Sequence, residues 1–276
     1  MKKLMKKMMI LAVLTGLLVS CNNDSTEESN QGNVTVKLTD DPFPFDFATE
    51  ANVTIAKIEL KNENGTYVTV FEGNGNYNMV GLTNGVTAQV NATSLEAGTY
   101  NEARITLNGA SVQLTDGTNY NLDASANDTR TITIEPALVI EAGGSSDVLF
   151  DLDINDSFQF TGMGGIQLPA WFSNMALIAG CEFNADFTAV DLDQTGTISG
   201  TITDSNGAVV ANALVEVNVN GNTVSTQTDA NGSFTFIGIQ EGTYTVTAET
   251  AGSLSGNSSG LTVNTSATAT CNITIQ

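Results

Sequence analysis

Residues 228–236 read Thr-Asp-Ala-Asn-Gly-Ser-Phe-Thr-Phe, and this stretch decides the fold of the C-terminal part of the chain. Asn231-Gly232 is a turn signal, because glycine adopts a positive φ without strain. The run that follows alternates polar and apolar side chains, so Phe234 and Phe236 share one face of a strand. A turn that leads into such a strand predicts a β-structure whose apolar face packs on a second sheet.

The residues around this stretch follow the same period-two pattern between turn signals. One side of each run is apolar, while the other side is mostly Thr, Ser and Asn. This pattern indicates strands that each bury one face in a β-sandwich. The apolar positions are Ile198, Ile202, Ala213, Val215, Val217, Val219, Tyr244 and Val246, and the turns are Asn206-Gly207 and Asn220-Gly221.

Residues 196–276 resemble the carboxypeptidase regulatory-like domain, a transthyretin-type β-sandwich. The resemblance rests on residues 228–236 and on Gly-Thr-Tyr-Thr-Val at 242–246, although Ala211 stands where many members have proline. In metallocarboxypeptidases the corresponding domain stabilises a catalytic neighbour, so the resemblance implies no catalytic residues. The family is classed near starch-binding-like sandwiches, which implies carbohydrate as a ligand class at the level of the fold alone.

The N-terminal half also consists of alternating runs separated by turn signals. Alternating Val, Ile and Thr between Asn-Gly or Asp-Gly pairs predicts antiparallel hairpins. We expect short helical turns only within residues 93–97 and 171–177. The runs begin at Val34, Val53, Arg104, Thr131 and Val148, and the turn signals are Asn64-Gly65, Asn84-Gly85, Asn108-Gly109 and Asp116-Gly117.

Residues 32–181 resemble a β-rich domain of unknown function that is common in bacterial lipoproteins and often precedes a regulatory-like domain. Val-Thr-Val-Lys-Leu-Thr-Asp-Asp-Pro at 34–42 and Phe-Asp-Leu-Asp at 150–153 carry the resemblance. The family supplies no catalytic residues. We therefore predict an all-β protein with two antiparallel β-sandwich domains in series, at residues 33–190 and 195–276.

The N-terminus carries a basic segment with four lysines and then an apolar run at residues 8–18, which is too short to span a bilayer. Cys21 follows the small residue Ser20, so residues 1–20 resemble a bacterial lipoprotein signal peptide. The resemblance implies that Cys21 is acylated and anchors the chain to a membrane. An ordinary cleaved signal that precedes a chance cysteine is the alternative.

Residues 21–32 are polar, acidic and free of aromatic side chains, so we expect a disordered tether after Cys21. Asn22 and the nearby acidic residues Asp24, Glu27 and Glu28 resemble the tethers of Bacteroidota lipoproteins. That resemblance implies a location at the outer membrane, with the protein facing the cell exterior.

The charge balance excludes several classes of partner and of enzyme. Four of the nine basic residues precede Cys21, so the rest of the chain has a formal charge of 5 − 30 = −25. Such a chain repels nucleic acid and anionic lipid headgroups. It contains no histidine, which excludes Ser-His-Asp and Cys-His sites and His-ligated zinc. Only a carboxylate pair of the glycoside hydrolase type remains, so we expect no catalytic residues.

Clustered carboxylates are the candidate metal ligands, because Ca²⁺ takes six to eight oxygen ligands. One cluster lies in a loop with prolines, and a second lies on one side of a strand. Turn chemistry and a solvated acidic edge are the alternatives, the latter also covering Asp156, Asp191 and Asp193. The calcium candidates are Asp40, Asp41 and Asp46 in the loop, and Asp151 and Asp153 on the strand.

Trp171, Phe43 and Phe45 are the candidate aromatic platform for a ligand, with packing in the core as the alternative. Cys181 and Cys271 remain once Cys21 carries lipid, and outside the cytoplasm they form a disulfide or stay as buried thiols. We expect a membrane-anchored surface lipoprotein that binds or presents, with a glycan or another surface protein as partner. A structural cell-envelope protein without a soluble ligand is the alternative, and a carboxylate-dependent glycoside hydrolase is the least favoured one.

Overall fold

A computed structural model describes residues 30–40, 47–122, 128–168 and 174–276. Strands make up most of these residues, which confirms the predicted all-β fold. No helix in the described ranges is long and apolar enough to cross a membrane.

The first sandwich consists of strands β1–β11. Nine of them form one sheet in the order β3-β2-β5-β7-β11-β8-β1-β4, with β6 paired to β5. Their bounds are β1 Gln31–Asp40, β2 Ala48–Asn62, β3 Tyr67–Asn78, β4 Ala88–Glu96, β5 Gly98–Leu114, β6 Asn119–Leu122, β7 Asp128–Ile140, β8 Ser145–Leu152, β9 Phe158–Gly162, β10 Ile178–Phe183 and β11 Phe187–Asp191.

This sheet folds over on itself into two facing layers. One cross-strand pair, Ala189 with Ile134, joins β11 to β7 at the bend. At the other side the Asn91 side chain of β4 donates a hydrogen bond to the Val70 carbonyl of β3 at 2.6 Å. Apolar side chains from both layers share one buried core, so the alternating faces predicted from the sequence pack as in a sandwich.

Two local predictions for the first sandwich are wrong. Asn108-Gly109 is not a hairpin turn but a bulge within β5, because Thr54 pairs with Gly109 while Ile55 pairs with Leu107. The extra residue bends a long strand around the core and leaves it unbroken. Residues 93–96 belong to β4, so the helical turn expected there is absent, whereas a short 3-10 turn does occupy Met175–Leu177.

A one-turn helix, α1 (Ile154–Ser157), follows β8 and leads into the hairpin of β9 and β10. β1 and β8 are parallel neighbours, and Asp40 at the end of β1 pairs with Leu152 at the end of β8. The hairpin therefore lies at the end of the sandwich opposite to Gln31, where β1 begins.

The second sandwich consists of β12–β21 around its own apolar core. β12 pairs with β15, β20 and β21, while a second sheet has the order β14-β13-β17-β18 and β16 pairs with β19. The bounds are β12 Gly196–Asp204, β13 Leu214–Val219, β14 Asn222–Gln227, β15 Ser233–Ile239, β16 Gly242–Tyr244, β17 Val246–Glu249, β18 Ser255–Asn257, β19 Leu261–Val263, β20 Thr268–Thr270 and β21 Ile273–Ile275.

Gly200 shows why glycine interrupts the apolar face of β12. A Cβ at this position would lie 1.6 Å from the Cys271 carbonyl oxygen, a backbone atom that cannot move aside. The Cys271 N–H donates a hydrogen bond to the Ser199 carbonyl at 2.9 Å, so the two backbones run in direct contact. Glycine inside a strand commonly marks such a close backbone approach.

Candidate functional site

The acidic candidates that the structure describes lie at the ends of β1 and β8. Asp40 and Asp153 have structural roles there, because the Asp40 carboxylate accepts a hydrogen bond from Ile154 N–H at 3.2 Å. The Asp153 carboxylate accepts one from Asp156 N–H at 2.9 Å. Both therefore satisfy backbone donors at the start of α1, which fits the turn-chemistry alternative.

Asp151 has a different environment, because its strand turns this side chain away from the first core. It lines a small cavity together with Val224, Thr226 and Thr235 of the second sandwich. Asp151 Oδ1 and Thr226 Oγ1 are both buried, and neither has a hydrogen-bond partner within the described residues. Burial and the nearby charge of Asp153 raise the pKa of Asp151 to about 7.

The described residues contain no group of three or more His, Cys, Asp or Glu side chains that could hold a metal ion. Asp41 and Asp46 lie outside the described residues, so the calcium site remains a prediction. The part of it that the structure describes consists of two capping carboxylates and one buried carboxyl.

Asp191 corrects the expectation of a solvated acidic edge. Its side chain is 1% exposed and accepts hydrogen bonds from Val139 N–H at 3.0 Å and Asp193 N–H at 2.9 Å. The carboxylate thus holds β7 against the end of β11. Burial is the main cause that raises the pKa of Asp191, while these two hydrogen bonds lower it.

The three candidate platform residues, Phe43, Phe45 and Trp171, lie outside the described residues, as does the predicted lipidation site Cys21. Phe47 is described, and it is 6% exposed with its ring edge against Phe160 at a centroid distance of 5.4 Å. That residue therefore packs in the core.

Cys181 and Cys271 do not form the disulfide that their even number allowed, because both are free thiols. Cys181 packs against the first core and Cys271 against the second, so the two side chains belong to different sandwiches. Burial raises the pKa of Cys181 to about 12 and also raises the pKa of Cys271. They are half-buried free thiols, closer to the alternative interpretation than to a disulfide.

Asn84 joins the two sandwiches at the free edge of β15. Its side-chain amide donates to the Ser233 carbonyl at 3.3 Å and accepts from Thr235 N–H at 2.6 Å. The amide thus takes the place of a neighbouring strand, which protects an edge that would otherwise pair with another chain. The turn reaches β15 because Asn84 and Gly85 both have positive φ.

A cleft of about 360 Å³ lies between the sandwiches, within the range of small-ligand sites. Gln240 spans it, donating to the Glu135 carbonyl at 3.0 Å and accepting from the Asn220 amide at 2.8 Å. The walls carry hydroxyl and amide groups together with the carboxyl groups of Glu135 and Asp151, above an apolar floor. They include Thr131, Thr133 and Thr188 of the first sandwich, Asn220, Asn222 and Gln240 of the second, and Leu149, Phe187 and Ile237 on the floor.

Sequence reasoning missed a charged surface on the outward side of β3, β2, β5 and β7, which we call the polar face. Its side chains alternate with core residues along each strand, and that period of two was the available signal. The cross-strand register aligns them in rows. The rows are Tyr67-Lys61-Glu102-Thr133, Thr69-Glu59-Arg104-Thr131 and Glu72-Lys57-Thr106-Thr129.

Near the centre of the polar face Arg104 lies over an aromatic ring. Its guanidinium carbon is 3.6 Å from the centroid of Tyr67, a close cation–π contact. The Tyr67 hydroxyl donates to the Glu102 carboxylate, which raises the pKa of Tyr67 and lowers that of Glu102. Lys61 also binds Glu102, at 3.3 Å. These contacts hold the ring, and the ring positions Arg104.

A family model for a domain of unknown function (DUF4382) matches residues 31–170, which is more than half of the chain. The chain belongs to this family. A second model, the carboxypeptidase regulatory-like domain, matches residues 197–276. Neither description names a catalytic activity.

No curated protein matches the chain. Solved structures to which this chain is similar include the Bacillus anthracis TIE protein, at 13% identity and a TM-score of 0.27, with the match covering 83% of this chain and 34% of that one. BcpA, the major pilin subunit of Bacillus cereus, has 13% identity and a TM-score of 0.23, and the match covers 89% of this chain and 99% of the BcpA chain. Shaft pilin SpaA from Lactobacillus rhamnosus GG has 11% identity and a TM-score of 0.22, and the match covers 89% of this chain and 97% of the pilin chain. This chain thus spans about a third of the TIE protein chain.

Asp151→Asn should change how stability depends on pH. The pKa of about 7 exceeds the ordinary value of 3.8, so the folded state binds more protons between about pH 4 and 7. Stability of the wild type therefore falls as pH rises through that window and levels off above it. The variant should be more stable at pH 8 by about 1–3 kcal/mol, the usual penalty of an uncompensated buried polar group.

Thermal unfolding of both proteins from pH 5 to pH 8 measures this difference. Asp147→Asn is the matched control, because Asp147 lies on the same face of β8 but is partly exposed and paired with Lys37 at 2.6 Å. Parallel pH profiles for wild type and Asp151→Asn would contradict the argument.

Asn84→Gly should weaken the contact between the sandwiches without straining the turn, because glycine tolerates the positive φ. Loss of two hydrogen bonds predicts a destabilisation of about 1–2 kcal/mol. Hydrogen exchange at the Thr235 amide should accelerate. Asn212→Gly serves as the control, since Asn212 also has a positive φ but does not reach the other sandwich; equal effects of the two variants would count against the bridge.

Proposed function

We propose that this chain is a non-catalytic surface lipoprotein that acts as a binding or presentation module, with carbohydrate as its ligand class. The support for anchoring is the Ser20-Cys21 junction after a basic and apolar segment. The acidic stretch up to residue 32 supports a position at the outer membrane, facing the exterior, with the lipid as the contact to the membrane.

The observation that carries the proposal is the position of exposed apolar side chains relative to the tether. The tether enters the first sandwich at Gln31, whereas the β9–β10 hairpin lies at the opposite end. Met163 and Ile166 at the tip of this hairpin are 73% and 69% exposed. Large apolar side chains in contact with water commonly mark interaction sites, and these belong to the hairpin at the end of the sandwich opposite to Gln31.

A binding role suits the described carboxylates better than catalysis does. A glycoside hydrolase needs two carboxyl groups that both reach the sugar. Asp40 and Asp153 bind backbone donors of α1, and the free oxygen of Asp151 is buried beneath the second sandwich. The hydroxyl and amide groups of the interdomain cleft instead suit hydrogen bonds to sugar hydroxyls.

Acylation of Cys21 is tested by expressing the full-length chain in a Gram-negative bacterium supplied with radiolabelled palmitate. We expect label on the wild type, which stays with the membrane, and none on Cys21→Ser. External protease should degrade the wild type on intact cells, because the proposed location is the outer surface. An unlabelled wild type would contradict the anchor, and protection from protease would contradict the exterior location.

Carbohydrate binding is tested by affinity electrophoresis of the full-length chain, in non-ionic detergent, through gels that contain different polysaccharides. Retardation by at least one of them is expected. Parallel gels with calcium and with EDTA test the predicted metal site, since retardation through bound calcium is lost in EDTA. An unretarded protein throughout the panel would favour the alternative of a structural envelope protein.

A further inference from the structure

Arg104 is exceptional among the basic residues of this chain. Five of them follow Cys21, and four of these pair with a carboxylate within the described residues: Lys37, Lys57, Lys61 and Arg130. Arg104 forms no such pair there, although Glu59 and Thr131 flank it across the sheet. Its guanidinium lies over the Tyr67 ring, and its charge also helps to lower the pKa of the neighbouring Glu102.

This arrangement leaves the hydrogen-bonding edge of the guanidinium available. Stacking on a ring uses the face of the group, while the donors point outward in its plane. A planar fork of this kind matches a carboxylate through two parallel hydrogen bonds. Because Tyr67 already holds the side chain, Arg104 loses little conformational freedom when a ligand binds.

The polar face is also much less acidic than the chain as a whole. In its three rows Lys57, Lys61 and Arg104 stand against Glu59, Glu72 and Glu102, so that 3 − 3 = 0, and Glu135 adds one negative charge where the face meets the cleft. The chain after Cys21 has a formal charge of −25. Three of its five basic residues therefore share one sheet face.

The polar face continues into the interdomain cleft. Thr131 is the cross-strand neighbour of Arg104, and Thr133 is that of Glu102. Both threonines also line the cleft, opposite Asn222 and Gln240. A ligand with a carboxylate on Arg104 therefore meets hydroxyl and amide groups and the Glu135 carboxylate in the direction of the second sandwich, and all of these can form hydrogen bonds with neighbouring sugar hydroxyls.

From this geometry we propose that the polar face, with Arg104 at its centre and the cleft wall beside it, binds a carboxylate-bearing glycan such as a uronic-acid oligosaccharide. Arg104 binds the sugar carboxylate and Tyr67 positions Arg104. Thr131, Thr133 and Gln240 bind hydroxyl groups of the adjoining sugar. The inference rests on the proposed carbohydrate-binding function and names its ligand and surface.

The test is isothermal titration of the full-length chain, in non-ionic detergent, with galacturonic acid oligosaccharides and with neutral oligosaccharides of equal length. We expect saturable binding of the acidic series only. Arg104→Gln should weaken it about tenfold or more, the effect of losing one charge-assisted pair. Arg104→Lys keeps the charge without the planar fork, so the affinity of this variant should lie between those of the wild type and Arg104→Gln.

Arg130→Gln is the matched control, because it removes the same charge from an arginine that is paired with Asp128 at 2.9 Å. Affinity should be unchanged in this variant, and circular dichroism checks the fold of each. If Arg104→Gln and Arg130→Gln lose the same amount of affinity, net charge alone explains the effect, and the assignment of Arg104 to the binding site is wrong. If a Glu-rich peptide binds as tightly as the oligosaccharide, the glycan assignment is wrong and the ligand is an acidic protein.

Failure of this inference differs from failure of the proposed function. Retardation by a neutral polysaccharide that Arg104→Gln leaves unchanged would overturn the polar face as the site and leave a carbohydrate-binding protein. The absence of any carbohydrate binding in both experiments would overturn both.

Discussion

Strand β8 is buried on both of its faces, and the rest of the structure depends on this constraint. Phe150 and its alternate neighbours pack in the first core, while Leu149 and Asp151 face the second sandwich. A strand covered on both sides carries a continuous apolar run, as Val-Leu-Phe at 148–150 does. The second sandwich therefore covers the first, and its edge strand β15 is shielded in return by Asn84. The raised pKa of Asp151 is the cost of placing a carboxyl on that covered face.

The strands could be predicted because their cause is local. Period-two alternation between turn signals indicates which side chains face a core, whatever the partner strand is. Asn108-Gly109 shows the limit of that reasoning, since the same dipeptide serves a turn or a bulge. Which of the two forms depends on whether β2 continues alongside, and that is a long-range property. The one-turn helix after β8 was missed for the same reason, because carboxylates from β1 and from the turn itself cap it.

The candidate sites were harder to predict because they depend on register. Acidic residues close in sequence are the predicted metal ligands, yet Asp40 and Asp153 bind backbone donors of α1 while Asp151 faces the second sandwich. Arg104 and Tyr67 lie far apart in sequence, and only the alignment of β5, β2 and β3 brings them together. The two cysteines carried a signal for burial but none for which core each one joins.

The charge distribution links the fold to the proposed role. A protein with so large an excess of carboxylates gains solubility from its surface at little structural cost, since exposed acids need no partner. Its few basic residues are then the informative ones, because each marks a place where attraction replaces repulsion. Four form ion pairs that contribute little stability at a surface. Arg104 instead lies over the Tyr67 ring and forms no ion pair within the described residues, on a face where opposite charges nearly balance. An acidic protein that recognises an acidic ligand needs such a locally neutral surface, with one positioned cation that supplies specificity.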